Sequence, residues 1–295
     1  MPGDTRARRV PRGLVVALVL VTTLAAGVLT GCSRGTAPPP EPPPSLAELK
    51  ARLPLYRFLY ALTADDVRVS EARQRLIAAC MDRHGFRYTP PPAPRTSDHA
   101  TSYPAPFGLE PADLVPPAVP EEPRGEAYVR ALYGDPDKRI SATDRTLRVT
   151  RPATGCQADA EERLLSDGRV RWLTLRLRLD DGEKQSRGAI GQSVEFRAVG
   201  DRWQRCMRQA GFDDSDPVAL QRDLPAEADA RTGPRARADL RCKESTGYLT
   251  TAYTVLGAAQ RAWLTEHPTV ERDWTALRDR QIRAAHDALG AAAPR

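Results

Sequence analysis

The chain has 295 residues, 41% of them apolar, with 44 lysines and arginines against 38 acids for a net charge of +6. Arginines alternate with acids, as in Glu271-Arg272-Asp273 and Arg278-Asp279-Arg280, so the one-signed basic patch of a nucleic-acid-binding protein is missing. Aromatic residues are few, at 6%, and the core must rely on leucine, valine and alanine.

Arg6, Arg8, Arg9 and Arg12 precede an uncharged run from Gly13 to Gly31. A basic head, a short apolar core and small residues at the exit describe a secretory signal peptide over 1–31. Its core, Leu14 to Leu29, is shorter than the roughly 20 residues that span a bilayer, and no charged stop follows it. Leu29-Thr30-Gly31-Cys32 resembles the lipobox of bacterial lipoproteins, which implies cleavage before Cys32 and a diacylglyceryl group with palmitate-type chains on its thiol. Val10-Pro11 after Arg8-Arg9 points to general secretion over twin-arginine export. Two acyl chains, at about 0.8 kcal/mol per buried CH₂, would hold the domain at the outer face of the cell membrane. The signal holds four arginines against Asp4, so the remainder carries about +3. Only four lysines occur, Lys50, Lys138, Lys184 and Lys243.

Residues 32–47 form a proline-rich linker, which extends at about 3.1 Å per residue. The folded domain is expected over 48–295, as two related halves of about 48–165 and 166–295. Ser45-Leu46-Ala47-Glu48 is a capping-box signal, and Ser70 to Arg83 reads as the next helix. Pro90 to Pro123 is a long proline-rich loop. Leu173, Leu175, Leu177 and Leu179 alternate with Thr174, Arg176 and Arg178, a strand-like pattern, and Asp181-Gly182 suits a hairpin turn. No partner strand follows, so a helix is favoured there. From Ser193 an apolar stripe of Phe196, Val199, Trp203, Cys206 and Ala210 ends at Gly211. Another, Cys242, Leu249, Tyr253, Leu256 and Trp263, runs to His267-Pro268, beyond which Val270, Trp274, Leu277 and Leu289 form the second arm of a helical hairpin. The fold class is therefore mainly α.

Four cysteines remain after Cys32: Cys80, Cys156, Cys206 and Cys242. An even number in an exported chain argues for two disulfides. The spacing is wrong for zinc, because no two cysteines are close and only Cys80 has a nearby histidine, His84. Three pairings are possible, and a repeat chooses among them. Cys80-Met81-Asp82-Arg83-His84-Gly85-Phe86 and Cys206-Met207-Arg208-Gln209-Ala210-Gly211-Phe212 share C-M-x-x-x-G-F, and each is followed by one more cysteine. Equivalent positions call for equivalent partners, so Cys80 pairs with Cys156 and Cys206 with Cys242. Loop-closure entropy gives each bridge up to about 4 kcal/mol.

Ala131-Leu132-Tyr133-Gly134, Gly155-Cys156 with Ala160-Glu161, Trp203-x-x-Cys206-Met207 and Ala238-Asp239-x-x-Cys242 resemble the landmarks of uncharacterised actinobacterial lipoproteins and secreted proteins. The resemblance covers most of the chain from about Arg73. It implies a disulfide-linked helical domain and carries no reaction. The chain departs from that pattern at Gly182 to Gly191, where three glycines interrupt an expected helix.

Catalytic chemistry is not visible. His99 stands beside Ser97 and Asp98, but triads are assembled by folding and not by adjacency. His84 suits a helix end, His267 precedes a turn proline, and His286 lies on a charged face. Asp213-Asp214-Ser215-Asp216 lacks the glycine of a calcium loop, and Asp216-Pro217 reads as a helix cap. Trp203, Trp263 and Trp274 sit on apolar stripes, as core residues do. No cofactor, metal or catalytic residue is expected. The membrane and an envelope or cell-wall component are the expected partners, and no nucleic acid. A non-catalytic binding or structural envelope module is the favoured reading; the alternatives are a cell-wall hydrolase and the solute receptor of an importer.

Overall fold

The computed structural model describes residues 44–93, 105–110, 124–144, 147–225 and 232–290. Cys32, the signal segment, nearly all of the linker and His99 lie outside them. The chain from Pro43 onward forms one compact unit, 71% helical over the described residues. Among those residues no helix is long and apolar enough to cross a membrane.

Helices α1 (Leu46–Ala51), α2 (Tyr56–Leu59) and α3 (Ala64–Arg83) open the domain. Ser45 caps α1 with the expected box: its amide donates to Glu48 at 2.7 Å and its hydroxyl accepts from the Glu48 amide at 3.3 Å. Thr63 and Asp66 make a second such box, so α3 starts a turn and a half before Ser70, where the apolar stripe alone would begin it. Then come α4 (Glu126–Tyr133), a two-stranded antiparallel hairpin of β1 (Arg139–Thr143) and β2 (Arg148–Pro152), and α5 (Cys156–Leu165). Helix α6 (Arg169–Ala189) is followed by α7 (Val194–Gln209) and α8 (Pro217–Asp223), the latter capped by Asp216. The stripe from Asp239 to Trp263 is divided at Gly247, giving α9 (Pro234–Thr246) and α10 (Tyr248–Glu266), and α11 (Pro268–Gly290) closes the chain. Past the Pro268 turn, α11 leaves α10 and packs chiefly on α3 and α5, tying the two ends of the domain together.

The C-M-x-x-x-G-F repeat is a helix stop. In the first copy Gly85 has φ +78°, its amide donates to the Asp82 carbonyl at 2.9 Å, and the Phe86 amide donates to the Met81 carbonyl at 3.0 Å. In the second, Gly211 has φ +88°, with the matching bonds to Arg208 at 3.0 Å and to Met207 at 2.9 Å. This is the Schellman arrangement, which needs a left-handed residue after the helix and sets an apolar residue beyond it against one in the last turn. Phe86 packs in the cluster that holds Met81, and Phe212 against the one that holds Met207. The cysteine, one place before that methionine, faces the same core. Disulfides join Cys80 to Cys156 and Cys206 to Cys242, with Cα atoms 5.5 and 5.7 Å apart. The copies differ at the partner: Cys156 is the first residue of α5, whereas Cys242 lies within α9.

Helix α6 explains the leucine alternation. At 100° per residue, Leu173 and Leu177 fall on one face and Leu175 and Leu179 on nearly the opposite one. The first pair packs on Ala142 of β1; the second lies among Trp263, Trp274 and Leu277 of α10 and α11. A helix buried on two sides imitates a strand's period of two. Asp181 and Gly182 lie inside this helix instead of in a turn. Gly182 is needed for packing, since a Cβ there would sit 2.7 Å from the Trp263 ring. Gly182 thus lets α10 approach the helix; Gly188 also lies inside it, with open space where a Cβ would stand, and Gly191 lies beyond its end.

Candidate functional site

Six side chains form a buried polar network in the main core. Lys243 Nζ donates to the Leu109 carbonyl at 2.7 Å and to Asp239 at 2.8 Å, and Trp203 Nε1 donates to Asp239 at 2.9 Å. Lys50 pairs with Glu110, which also accepts from the Tyr253 hydroxyl. Burial holds the Asp239 carboxyl above the ordinary aspartate range, and Lys243 and Trp203 pull it back only in part. Lysine, two acids and a tyrosine form a set suited to proton transfer, yet none of the six is more than 5% exposed. They clamp Phe107 to Glu110 into the core, so this stretch of the proline-rich loop is a built part of the domain. Two of the four lysines are spent here, a signal that the arginine-rich composition carried unread.

The accessible chemistry lies elsewhere, between α3, α6 and α11. A cavity of about 210 Å³ is lined by α3, the hairpin, α5, α6 and α11, and a groove of about 710 Å³ runs beside it past α2. The two share Asp66, Trp172 and Arg278. Trp172 is half-buried, its ring centroid 6.1 Å from that of Trp274 and 5.6 Å from the Arg151 guanidinium. Glu161 holds two arginines: Arg151 Nη1 donates at 3.0 Å, and Arg169 donates from Nε at 3.2 Å and Nη2 at 3.0 Å. The Arg169 side chain is only 8% exposed, and its Nη2 also donates to the Pro152 carbonyl at 2.7 Å. Asp66 serves twice, closing the Thr63 capping box and pairing with Arg278. Arg73, on the rim of the cavity, is exposed and has no ion-pair partner among the described residues.

The carboxylates along the groove are each held by an arginine: Asp65 by Arg68, and Glu271 by Arg57 at 2.6 Å. The Tyr60 hydroxyl, also on the groove, is pushed up to about 12 by burial and then by the Glu183 carboxylate, which keeps it a neutral hydrogen-bond donor.

No family model, curated protein or solved structure matches the chain.

The residues singled out in the sequence do not gather at this site. His84 ends α3 as its cap residue, His286 is exposed on α11, and His267 stacks on Trp263 with centroids 4.3 Å apart. Cys80, His84 and Cys156 come within 4.8 Å of one another at their ligand atoms, but sulfurs bonded to each other offer a metal no thiolate. Asp214 pairs with Arg235, and Asp216 caps α8, so neither is spare for calcium. Trp203, Trp263 and Trp274 are buried core residues. Of the cavity's own residues, Arg151, Arg169 and Trp172 lie close in sequence, but Arg73 on α3 and Arg278 on α11 come from opposite ends of the domain, and no local motif marks the set.

Proposed function

We propose that the protein is a non-catalytic binding module of the cell envelope, exported, anchored through lipid on Cys32, and holding its ligand in the groove beside Trp172. The observation that carries this reading is the joined cavity and groove, with a partly exposed tryptophan and guanidiniums at their junction. The lipobox sequence and the two bridges, which need an oxidising compartment, support the location. A hydrolase would need two carboxylates free to hold and release protons across a substrate; here each is engaged by an arginine. An importer receptor of the two-lobed kind is built from alternating strands and helices, and the described residues contain a single two-stranded sheet.

Native mass spectrometry of protein purified from its own membranes tests both parts. The expected result is an acylated Cys32 at the N-terminus and a small-molecule adduct that is lost in Thr275→Trp, which fills the groove. A mature chain without acyl groups, or an adduct retained by Thr275→Trp, would contradict the corresponding part.

A further inference from the structure

The cavity beside Trp172 carries a charge that its own residues do not cancel. Asp66 and Glu161 face Arg73, Arg151, Arg169 and Arg278, two carboxylates against four guanidiniums. Asp66 is taken by Arg278, and Glu161 is shared between Arg151 and Arg169. Among the described residues, that leaves Arg73 without a counter-ion and the Glu161 pair one negative charge short. Arg169 Nη1 and Arg151 Nη2 donate to no acceptor among the described residues, so both keep donors for a further one. Holding surplus positive charge next to a side chain as buried as Arg169 costs solvation free energy, which an entering anion returns.

Size and shape narrow the class. A volume of 210 Å³ is below the range of about 300–1,000 Å³ usual for drug-sized ligands, and so suits a head group alone. The groove that continues from it is larger and is floored at the junction by the Trp172 ring. Guanidinium forks match the oxygens of phosphate and carboxylate, and a surplus of two charges matches a phosphate monoester, which carries about −1.5 to −2 at pH 7.

We infer that the cavity is a phosphate-monoester site: the phosphate lies among Arg73, Arg151 and Arg169, and a flat ring attached to it lies along Trp172 into the groove. This rests on the groove being the ligand site, and it adds the ligand's chemical class.

Calorimetry on the full chain in detergent, with phenyl phosphate, inorganic phosphate, benzoate and phenol as probes, tests it. Phenyl phosphate should bind most tightly, and its affinity should fall with added salt. Arg73→Ala and Arg151→Ala should each weaken both phosphate probes about tenfold, the scale of one lost charged hydrogen bond, and Arg73→Ala, which is away from the Trp172 ring, should leave phenol unchanged. Arg75→Ala, on the same helix but off the cavity, should alter nothing. Arg73 is exposed and has no ion-pair partner among the described residues, so its removal should leave folding intact, and the melting temperature checks this. Phosphate binding that survives loss of both arginines overturns the inference, as does benzoate binding as tightly as phenyl phosphate. Phenol binding that Trp172→Ala abolishes, with no phosphate probe binding, would overturn the phosphate class and leave the groove as the ligand site. No binding by any probe, with the membrane-derived adduct still sensitive to Thr275→Trp, would do the same.

Discussion

Replacing Lys243 by methionine should be among the most damaging single changes to the core. The side chain is 1% exposed, and its partner Asp239 is fully buried. Methionine fills most of the volume but takes away the ammonium, so Asp239 keeps only the Trp203 indole N–H, and the Leu109 carbonyl loses its 2.7 Å donor. Breaking a buried pair by removing one partner costs about 3–5 kcal/mol. Asp239→Asn alone removes the negative charge, keeps an acceptor for Trp203, and deprives the buried lysine of its carboxylate. The double variant Asp239→Asn/Lys243→Met removes both charges together. It should therefore be less destabilised than the sum of its singles, by at least about 1 kcal/mol of coupling. Urea unfolding followed by tryptophan fluorescence, with equal slopes in all four proteins, measures the cycle. A Lys243→Met cost below about 1 kcal/mol, or strict additivity, would refute the argument that this pair is what clamps residues 107–110.

The same network sets a pH dependence. Asp239 holds its proton more tightly in the folded than in the unfolded chain, so its contribution to stability is present below the unfolded aspartate value and is lost as pH rises through the folded one; the stability of wild type relative to Asp239→Asn should therefore grow on acidification, and a flat difference would speak against it. Two glycine variants separate strain from collision. A Cβ at Gly211 meets nothing within 4 Å, so Gly211→Ala should cost only the left-handed backbone term of about 1–2 kcal/mol, whereas at Gly134 it would lie 2.3 Å from Thr154, and Gly134→Ala should cost clearly more. Non-reducing peptide mapping should recover a fragment joining Cys80 to Cys156 and one joining Cys206 to Cys242; a fragment joining Cys80 to Cys206 would contradict the pairing.

Local signals in the sequence were reliable where a short segment determines its own conformation. Ser45 and Asp216 announce caps because each needs only its next three residues, and C-M-x-x-x-G-F announces a helix stop for the same reason. The pattern misleads where burial is two-sided, as at Leu173 to Leu179. It is silent where the decisive partner is remote. The β-hairpin strands are five residues each, and the inward side of β1 includes the small Ala142, so little alternation shows. Phe107 to Glu110 reads as loop because Lys50, Lys243 and Tyr253, which hold it, stand far away in the chain. The cavity is the extreme case, since each of its arginines alone reads as a solvated surface charge.

The central claim, that the groove beside Trp172 is where this protein binds its ligand, is tested most directly by hydrogen exchange of the full chain with and without phenyl phosphate. Slowed exchange should concentrate in residues 57–73, 151–176 and 271–282. Slowed exchange confined to other segments, with these unchanged under saturating probe, would contradict it.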